Sequence, residues 1–315
     1  MTPVLVRQHL PNAGPVPRAD LGARARDWSE IQERMLVPLY EAVYERLEVG
    51  PGTRLLGLGC GSGLALLMAA SRGASLTGVE PGSPERLALA RERLLPPASP
   101  AGEAHARAGV RLTGRSPKDA ADAETPAYTL VTAFEPIGCL WGDAEGLVGL
   151  LTAAVPLAER GAPVVLAGWG PPERCATWDV LRAVAGADAM ARTAAPEAPA
   201  RSGAGNAPGR ASGGAGLPSG VGRLRPALRD DLEEAAERAG LGPDGSGRVA
   251  CPFGYAGVDS AVKGLLSTGL FDAAVAATDP EQVGKELTEA LHPYRRRDGT
   301  VWMPNVFRYL IARTP

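Results

Sequence analysis

Apolar residues along this chain come in short runs set between stretches of helical spacing. Arg54–Leu58 and Ser75–Val79 are brief and apolar enough to predict buried strands. Val110–Thr113, Tyr128–Phe134 and Pro163–Gly168 predict three more. Between them, Leu64–Ser71, Pro84–Leu94 and Ala144–Ala158 read as helices, the second with proline at its start, where a missing N–H costs little. Strand and helix alternate, which argues for a parallel, doubly wound sheet. Ahead of this rhythm, residues 20–49 read as helical. Ile31 and Met35 fall at helical spacing, Pro38 closes one helix and opens the next, and Leu39, Val43 and Leu47 share a face.

The rhythm stops at residues 185–222. That stretch is rich in Ala, Gly, Pro and Ser and almost lacks large apolar side chains. It buries too little to offset its ordering entropy, so it reads as a flexible surface insertion. Beyond it, Pro226–Ala239 is an amphipathic helix ending at Gly240, and Gly247–Tyr255 is strand-like. Helices follow around Val258–Leu266, Phe271–Ala277 and Pro280–Leu291, and VWMPNVFRYLIAR reads as a terminal strand. The expected division is an arm and helical cap over 1–50, a core over 51–184, the insertion over 185–222, and completion of the sheet over 223–315.

The sequence has 315 residues and a net charge of −2, so nucleic acid and anionic membranes gain no electrostatic support as partners. The N-terminus is broken by Pro and His and does not resemble a signal peptide, and no run is long and apolar enough to span a bilayer. Cys60, Cys139, Cys175 and Cys251 form no CxxC pair, and His9, His105 and His292 lie far apart, so no metal site is expected. This cysteine usage fits a reduced cytoplasm. Heavy use of Ala, Gly, Pro and Arg with little Lys points to a GC-rich bacterial source.

The segment that carries chemistry is LLGLGCGSGLALL, residues 55–67. A strand runs into Gly59, Gly61 and Gly63, and a helix begins at once. Glycines there permit a tight turn and close approach of a ligand, and the helix start offers unpaired N–H groups beside it. Glu80 closes the next strand, about 20 residues on, at the distance expected of a carboxylate that binds ribose hydroxyls.

This G-x-G-x-G, followed by GVEPGSPERLALARERL and closed by GRVACPFGY and NVFRYLIAR, resembles the class I S-adenosylmethionine-dependent methyltransferases. The resemblance covers roughly residues 20–315 apart from the insertion. It implies a Rossmann-like α/β fold with a seven-stranded, mostly parallel sheet whose last strand is reversed. It also implies an N-terminal helical cap over 20–50 and a helical lid over about 256–300. The cofactor implied is S-adenosylmethionine, with S-adenosylhomocysteine as product. It is held by Gly59, Cys60, Gly61 and Gly63, with Glu80 on the ribose and Pro81 beside it. The sequence departs from the family at Gly57, where an acid usually stands, and near Arg115, where an acid usually lies beside adenine. It also has AFEPIGC in place of an amine-methylating Asn/Asp-Pro-Pro-aromatic motif.

The substrate-side candidates each carry two readings. Glu135, just past the fourth strand, either accepts a proton or orients a substrate hydroxyl, or it caps adjacent backbone. His292 is a general base if the lid folds over the pocket, and otherwise a solvated or capping group. Trp28 and Tyr40 either pack on adenine or substrate or belong to the core. The expected reaction is methyl transfer to a small organic molecule, a specialised metabolite. The alternatives are a non-methylating cyclase or rearrangement catalyst on the same scaffold, and a non-catalytic cofactor-binding subunit.

Overall fold

The structure is a computed structural model that describes residues 20–95, 110–120, 126–193 and 223–315. The predicted arm over 1–18, His9, His105 and the insertion from 194 to 222 lie outside the described residues.

Helical residues open the fold, in a run whose pitch changes three times. Helix α1 (Leu21–Asp27) is capped by the Asp20 carboxylate, which accepts from the Ala23 N–H. A π-helical turn, Trp28–Gln32, follows, then a 3-10 turn, Glu33–Leu36, and then α2 (Val37–Arg46) with Pro38 in its first turn. The sheet begins with β1 (Arg54–Leu58), α3 (Leu64–Ser71), β2 (Ser75–Val79), α4 (Pro84–Leu94) and β3 (Val110–Thr113). It continues with β4 (Leu130–Ile137), α5 (Asp143–Ala154), β5 (Pro163–Trp169) and α6 (Ala176–Thr193). The first residues of the stretch read as an insertion are therefore the end of α6. The chain closes with α7 (Asp231–Arg238), β6 (Gly242–Ala250), β7 (Phe253–Tyr255), α8 (Val258–Ser267), α9 (Asp272–Ala277), α10 (Pro280–Ala290), β8 (Val301–Met303) and β9 (Val306–Arg313).

Seven strands pair in the order β3-β2-β1-β4-β5-β9-β6. Strands β1 to β5 run parallel, and β9 is antiparallel to both neighbours. This is the Rossmann-like α/β sheet with a reversed last strand that the sequence implied. Two predicted strands divide. The 247–255 strand breaks into β6 and β7, and the terminal strand breaks at Pro304–Asn305. The reason is local. Pro304 has no N–H to give a ladder, and Asn305 turns its carbonyl to the Cys251 N–H (2.9 Å) and its side-chain oxygen to the Thr177 N–H (3.1 Å). The freed ends, β7 and β8, pair as a separate two-stranded ribbon.

Alternation along the central strands divides the core between the two faces of the sheet. On β5, Val165, Ala167 and Trp169 face the cap, α3, α6 and the helices after β7, while Val164 and Leu166 face α5 and α7. The carboxyl ends of β1, β2, β4 and β5 share one edge, and the cap and α8 meet over it. Two of the bonds that tie that cover down reach residues after β6. The Tyr255 hydroxyl donates to Gln32 Oε1 (2.8 Å), and Arg24 pairs with Asp272 (2.9 Å).

Candidate functional site: the glycine turn and its cavity

The turn from β1 into α3 has left-handed backbone at all three glycines, with φ of +58° at Gly59, +57° at Gly61 and +84° at Gly63. Side chains rarely adopt that conformation. The space a β-carbon would need is also taken, and by the protein itself. At Gly61 it would lie 3.0 Å from Glu33 Oε1 and 3.2 Å from Trp28 Nε1, at Gly59 3.3 Å from Glu135 Oε2, and at Gly63 3.2 Å from Ala90 of α4. These glycines therefore admit the cap, the β4 carboxylate and α4 to the loop.

The N–H groups from Cys60 to Leu64 are not open, which corrects the expectation from sequence. Cys60 donates to the Val79 carbonyl (3.1 Å) and Gly63 to the Cys60 carbonyl (3.0 Å). Gly61 donates to Glu80 Oε2 (2.7 Å), and Ser62 and Leu64 both donate to Glu33 Oε1 (3.1 and 3.4 Å). Glu33 is 2% exposed. Its other oxygen accepts from the Ser62 hydroxyl and from Arg93 (2.6 Å), which also donates to the Ser62 carbonyl and to Ser29 Oγ. A side chain of the cap thus supplies the anion that a helix start favours.

Glu80 sits at the end of β2, 4% exposed, with its second oxygen accepting from the Gly82 N–H (3.2 Å). Burial, reinforced by the Glu135 charge across the cleft, pushes its carboxyl up to about 7, against the pull of the Gly61 and Gly82 bonds and of Arg86. A carboxyl raised in the folded state contributes stability that is full below its unfolded value, near 4.5, and is lost as pH rises towards 7. Wild type is accordingly expected to lose about 3 kcal/mol relative to Glu80→Gln across that window and to hold a constant difference above it. Denaturant unfolding of both proteins from pH 4 to pH 8 checks this, and a pH-independent difference would contradict it.

Two spaces open along the carboxyl edge. A narrow cleft lies against the turn, lined by Gly59, Cys60, Gly61, Trp28, Glu33, Tyr40, Phe134, Arg86 and Glu135. Beside it is a cavity of about 480 Å³, within the usual range for small-molecule sites. Its walls are mainly apolar, with Leu36, Ile137, Leu140, Leu147, Leu150, Trp169, Phe253, Leu270 and Phe307, and its polar lining includes Gln32, Glu80, Glu135 and Asp143. Trp28, Leu36, Leu58, Gly59 and Glu135 border both spaces.

The structure brings together Trp28, Tyr40, Gly59, Cys60, Gly61, Glu80, Pro81 and Glu135 along these walls. Gly63 stands behind them, packed on α4. Tyr40 belongs to the floor of the cleft, its ring 4.8 Å from Phe134, and burial raises its hydroxyl. Cys60 is a buried thiol raised by burial, which removes it as a nucleophile. His292 does not join them. It is exposed on the 3-10 turn after α10 and lines neither space. The missing acid at Gly57 has a steric reason, since a β-carbon there would stand 2.9 Å from the Leu66 side chain. Arg115 is exposed on the loop after β3.

Three residues of the site gave no signal in the sequence: Glu33, Arg93 and Arg86. The Arg86 guanidinium stacks 4.2 Å above the Trp28 ring, lies 3.6 Å from Glu135 and donates to the Ser267 carbonyl (2.9 Å). The Trp28 indole N–H is buried without an acceptor among the described residues. Among those residues no group of three or more His, Cys, Asp and Glu is placed to hold a metal, and no helix is long and apolar enough to cross a membrane.

The sheet order, with its one reversed strand, gives this chain a Rossmann-like α/β fold. No family model matches the chain, and no curated protein matches it in sequence. Solved structures similar to it include the [4+2]-cyclase SpnF, at 17% identity and a TM-score of 0.44 over 88% of this chain and 80% of that one. A methyltransferase from Geobacter sulfurreducens, in complex with S-adenosyl-L-homocysteine, is 16% identical over 90% of this chain and 92% of its own, with a TM-score of 0.43. Geranyl diphosphate C-methyltransferase from Streptomyces coelicolor A3(2) is 16% identical over 96% and 90%, with a TM-score of 0.44.

Proposed function

We propose that this protein binds S-adenosylmethionine across the Gly59–Gly63 turn and transfers its methyl group to a small, largely apolar organic molecule held in the 480 Å³ cavity. The observation that carries the reading is the saturation of the turn. The N–H groups from Cys60 to Leu64 are already bonded, two of them to the buried Glu33 carboxylate. A cofactor with phosphates needs free N–H groups and a positive helix start here, and Glu33 would repel it. An adenosine ligand without phosphate needs neither.

The residues fit such a ligand on three further counts. Glu80 keeps lone pairs beyond its two backbone bonds, since a carboxylate offers about four acceptor sites, and so can take a ribose diol. Gly59 and the unpaired Trp28 N–H stand at the junction of cleft and cavity. Glu135, at the same junction, accepts the proton of a hydroxyl or acidic carbon, or orients the acceptor. Bound here, S-adenosylmethionine supplies an electrophilic methyl on a sulfonium. The apolar walls exclude water and align the acceptor with it.

Calorimetry tests the reading directly. S-adenosylhomocysteine is expected to bind and a nicotinamide dinucleotide is not, and the reverse result would overturn the assignment. Glu80→Ala is expected to weaken S-adenosylhomocysteine by about 1.5–3 kcal/mol, the scale of hydrogen bonds to a charged group.

A further inference from the structure

Arg86 holds a charge that the proposed reaction leaves unassigned. It projects from the first turn of α4 into the narrow cleft, and its side chain is only 13% exposed. A guanidinium carries five N–H donors. Among the described residues, Ser267 alone accepts a hydrogen bond from it. Its ion partner, Glu135, is 3.6 Å away, beyond hydrogen-bond reach, and is 58% exposed. The pair is loose, while the guanidinium itself is firmly seated on the Trp28 ring at 4.2 Å.

The surroundings leave little choice of ligand for such a group. The cation faces Gly59 and Glu135 across the cleft, and Arg93, the neighbouring cation, is spent on Glu33 and Ser62. The N–H groups from Cys60 to Leu64 already have acceptors and are not offered to a carboxylate. A ligand with a carboxylate and an ammonium on one carbon meets a fixed guanidinium and an exposed carboxylate at matching separation of charge. The free protein pairs those two groups with each other.

We propose that Arg86 recognises the carboxylate at the amino-acid end of the cofactor, and that in doing so it releases Glu135. This rests on the S-adenosylmethionine reading above. The exchange is of non-covalent partners only. Arg86 trades a loose pair for a bidentate one, and the fork geometry of guanidinium favours that trade. Glu135, no longer facing a cation, becomes free for the ligand's ammonium and then for the acceptor's proton. Cofactor therefore binds before acceptor.

The test compares two probes by calorimetry, S-adenosylhomocysteine and 5′-methylthioadenosine, which keeps the nucleoside and lacks the amino-acid end. Arg86→Ala is expected to weaken S-adenosylhomocysteine by about 10–100-fold and methylthioadenosine by less than about threefold, since the lost contact is a charged hydrogen bond made to one probe only. Arg86→Lys is expected to fall between, having the charge without the fork. Arg86→Gln, which retains a donor for Ser267, is measured alongside and serves the comparison if the alanine variant does not fold. Equal losses for the two probes, or no loss for either, overturn the role of Arg86. A wild-type protein that binds neither probe overturns the cofactor reading itself, and this proposal with it.

Discussion

Replacing Glu33 with alanine is expected to cost about 3–5 kcal/mol of folding stability, the scale for removing one partner of a buried ion pair. Four groups lose an acceptor at once: the Ser62 and Leu64 N–H groups, the Ser62 hydroxyl and one arm of Arg93. Arg93 keeps the Ser62 carbonyl and Ser29, which holds the cost inside that range. Glu33→Gln is expected to lose less, because its amide oxygen still accepts from the turn while the charge is gone. Equilibrium unfolding of the three proteins at neutral pH reads the difference. An alanine variant as stable as wild type would show that the cap is held by its apolar face alone, by Leu36, Leu39, Tyr40 and Val43.

The second large effect concerns turnover. Glu135→Gln is expected to slow methyl transfer about 10²–10⁴-fold, the usual contribution of a positioned general base, when the acceptor is a hydroxyl or an acidic carbon. Its place supports the role. Glu135 lies two residues before the end of β4, where the strand's register shifts at the carboxyl edge, packs against Gly59 and borders both the cleft and the cavity. The measurement has two stages. The product must first gain the mass of a methyl group, and a product of unchanged composition would sink the transferase reading and leave a cyclase or rearrangement catalyst. Turnover of the variant is then compared with its affinity for S-adenosylhomocysteine, which is expected to fall far less than turnover, because the amide oxygen still accepts from the ligand's ammonium. Undiminished turnover would remove Glu135 from the chemistry.

The sheet was legible because its signals are local. A strand that runs into Gly59 and a helix that leaves Gly63 need only a dozen residues to announce themselves, and each later strand repeats the period. The terminal strand misled for an equally local reason. VWMPNVFRYLIAR is apolar throughout, and the break at Pro304–Asn305 depends on contacts with Cys251 and Thr177 that lie far off in sequence. Glu80 was legible as the residue that follows β2 at the ligand-binding edge, and Glu135 as one near the carboxyl end of β4, although that strand runs on to Ile137 and does not stop at Phe134. Glu33 was not. In a regular helix it stands opposite the face made by Ile31 and Met35, where an acid is read as solvated, yet it is buried. Arg86 and Arg93 looked like ordinary charges on an amphipathic helix, and only the meeting of α4 with the cap distinguishes them.

The short π-helical turn in the cap sets an angle. Five residues of regular α-helix sweep about 500°, so positions five apart point about 140° away from each other. Trp28 and Glu33 are five apart, and the Glu33 N–H bonds to the Trp28 carbonyl, the wider ring of a π turn. That extra width turns both side chains to the same side, where indole nitrogen and carboxylate flank the place of a β-carbon on Gly61. Winding the same five residues at ordinary pitch would set Trp28 and Glu33 about 140° apart. Trp28 would leave the turn while Glu33 stayed. The aromatic cover of the cleft is therefore encoded in the widened turn as much as by the tryptophan itself.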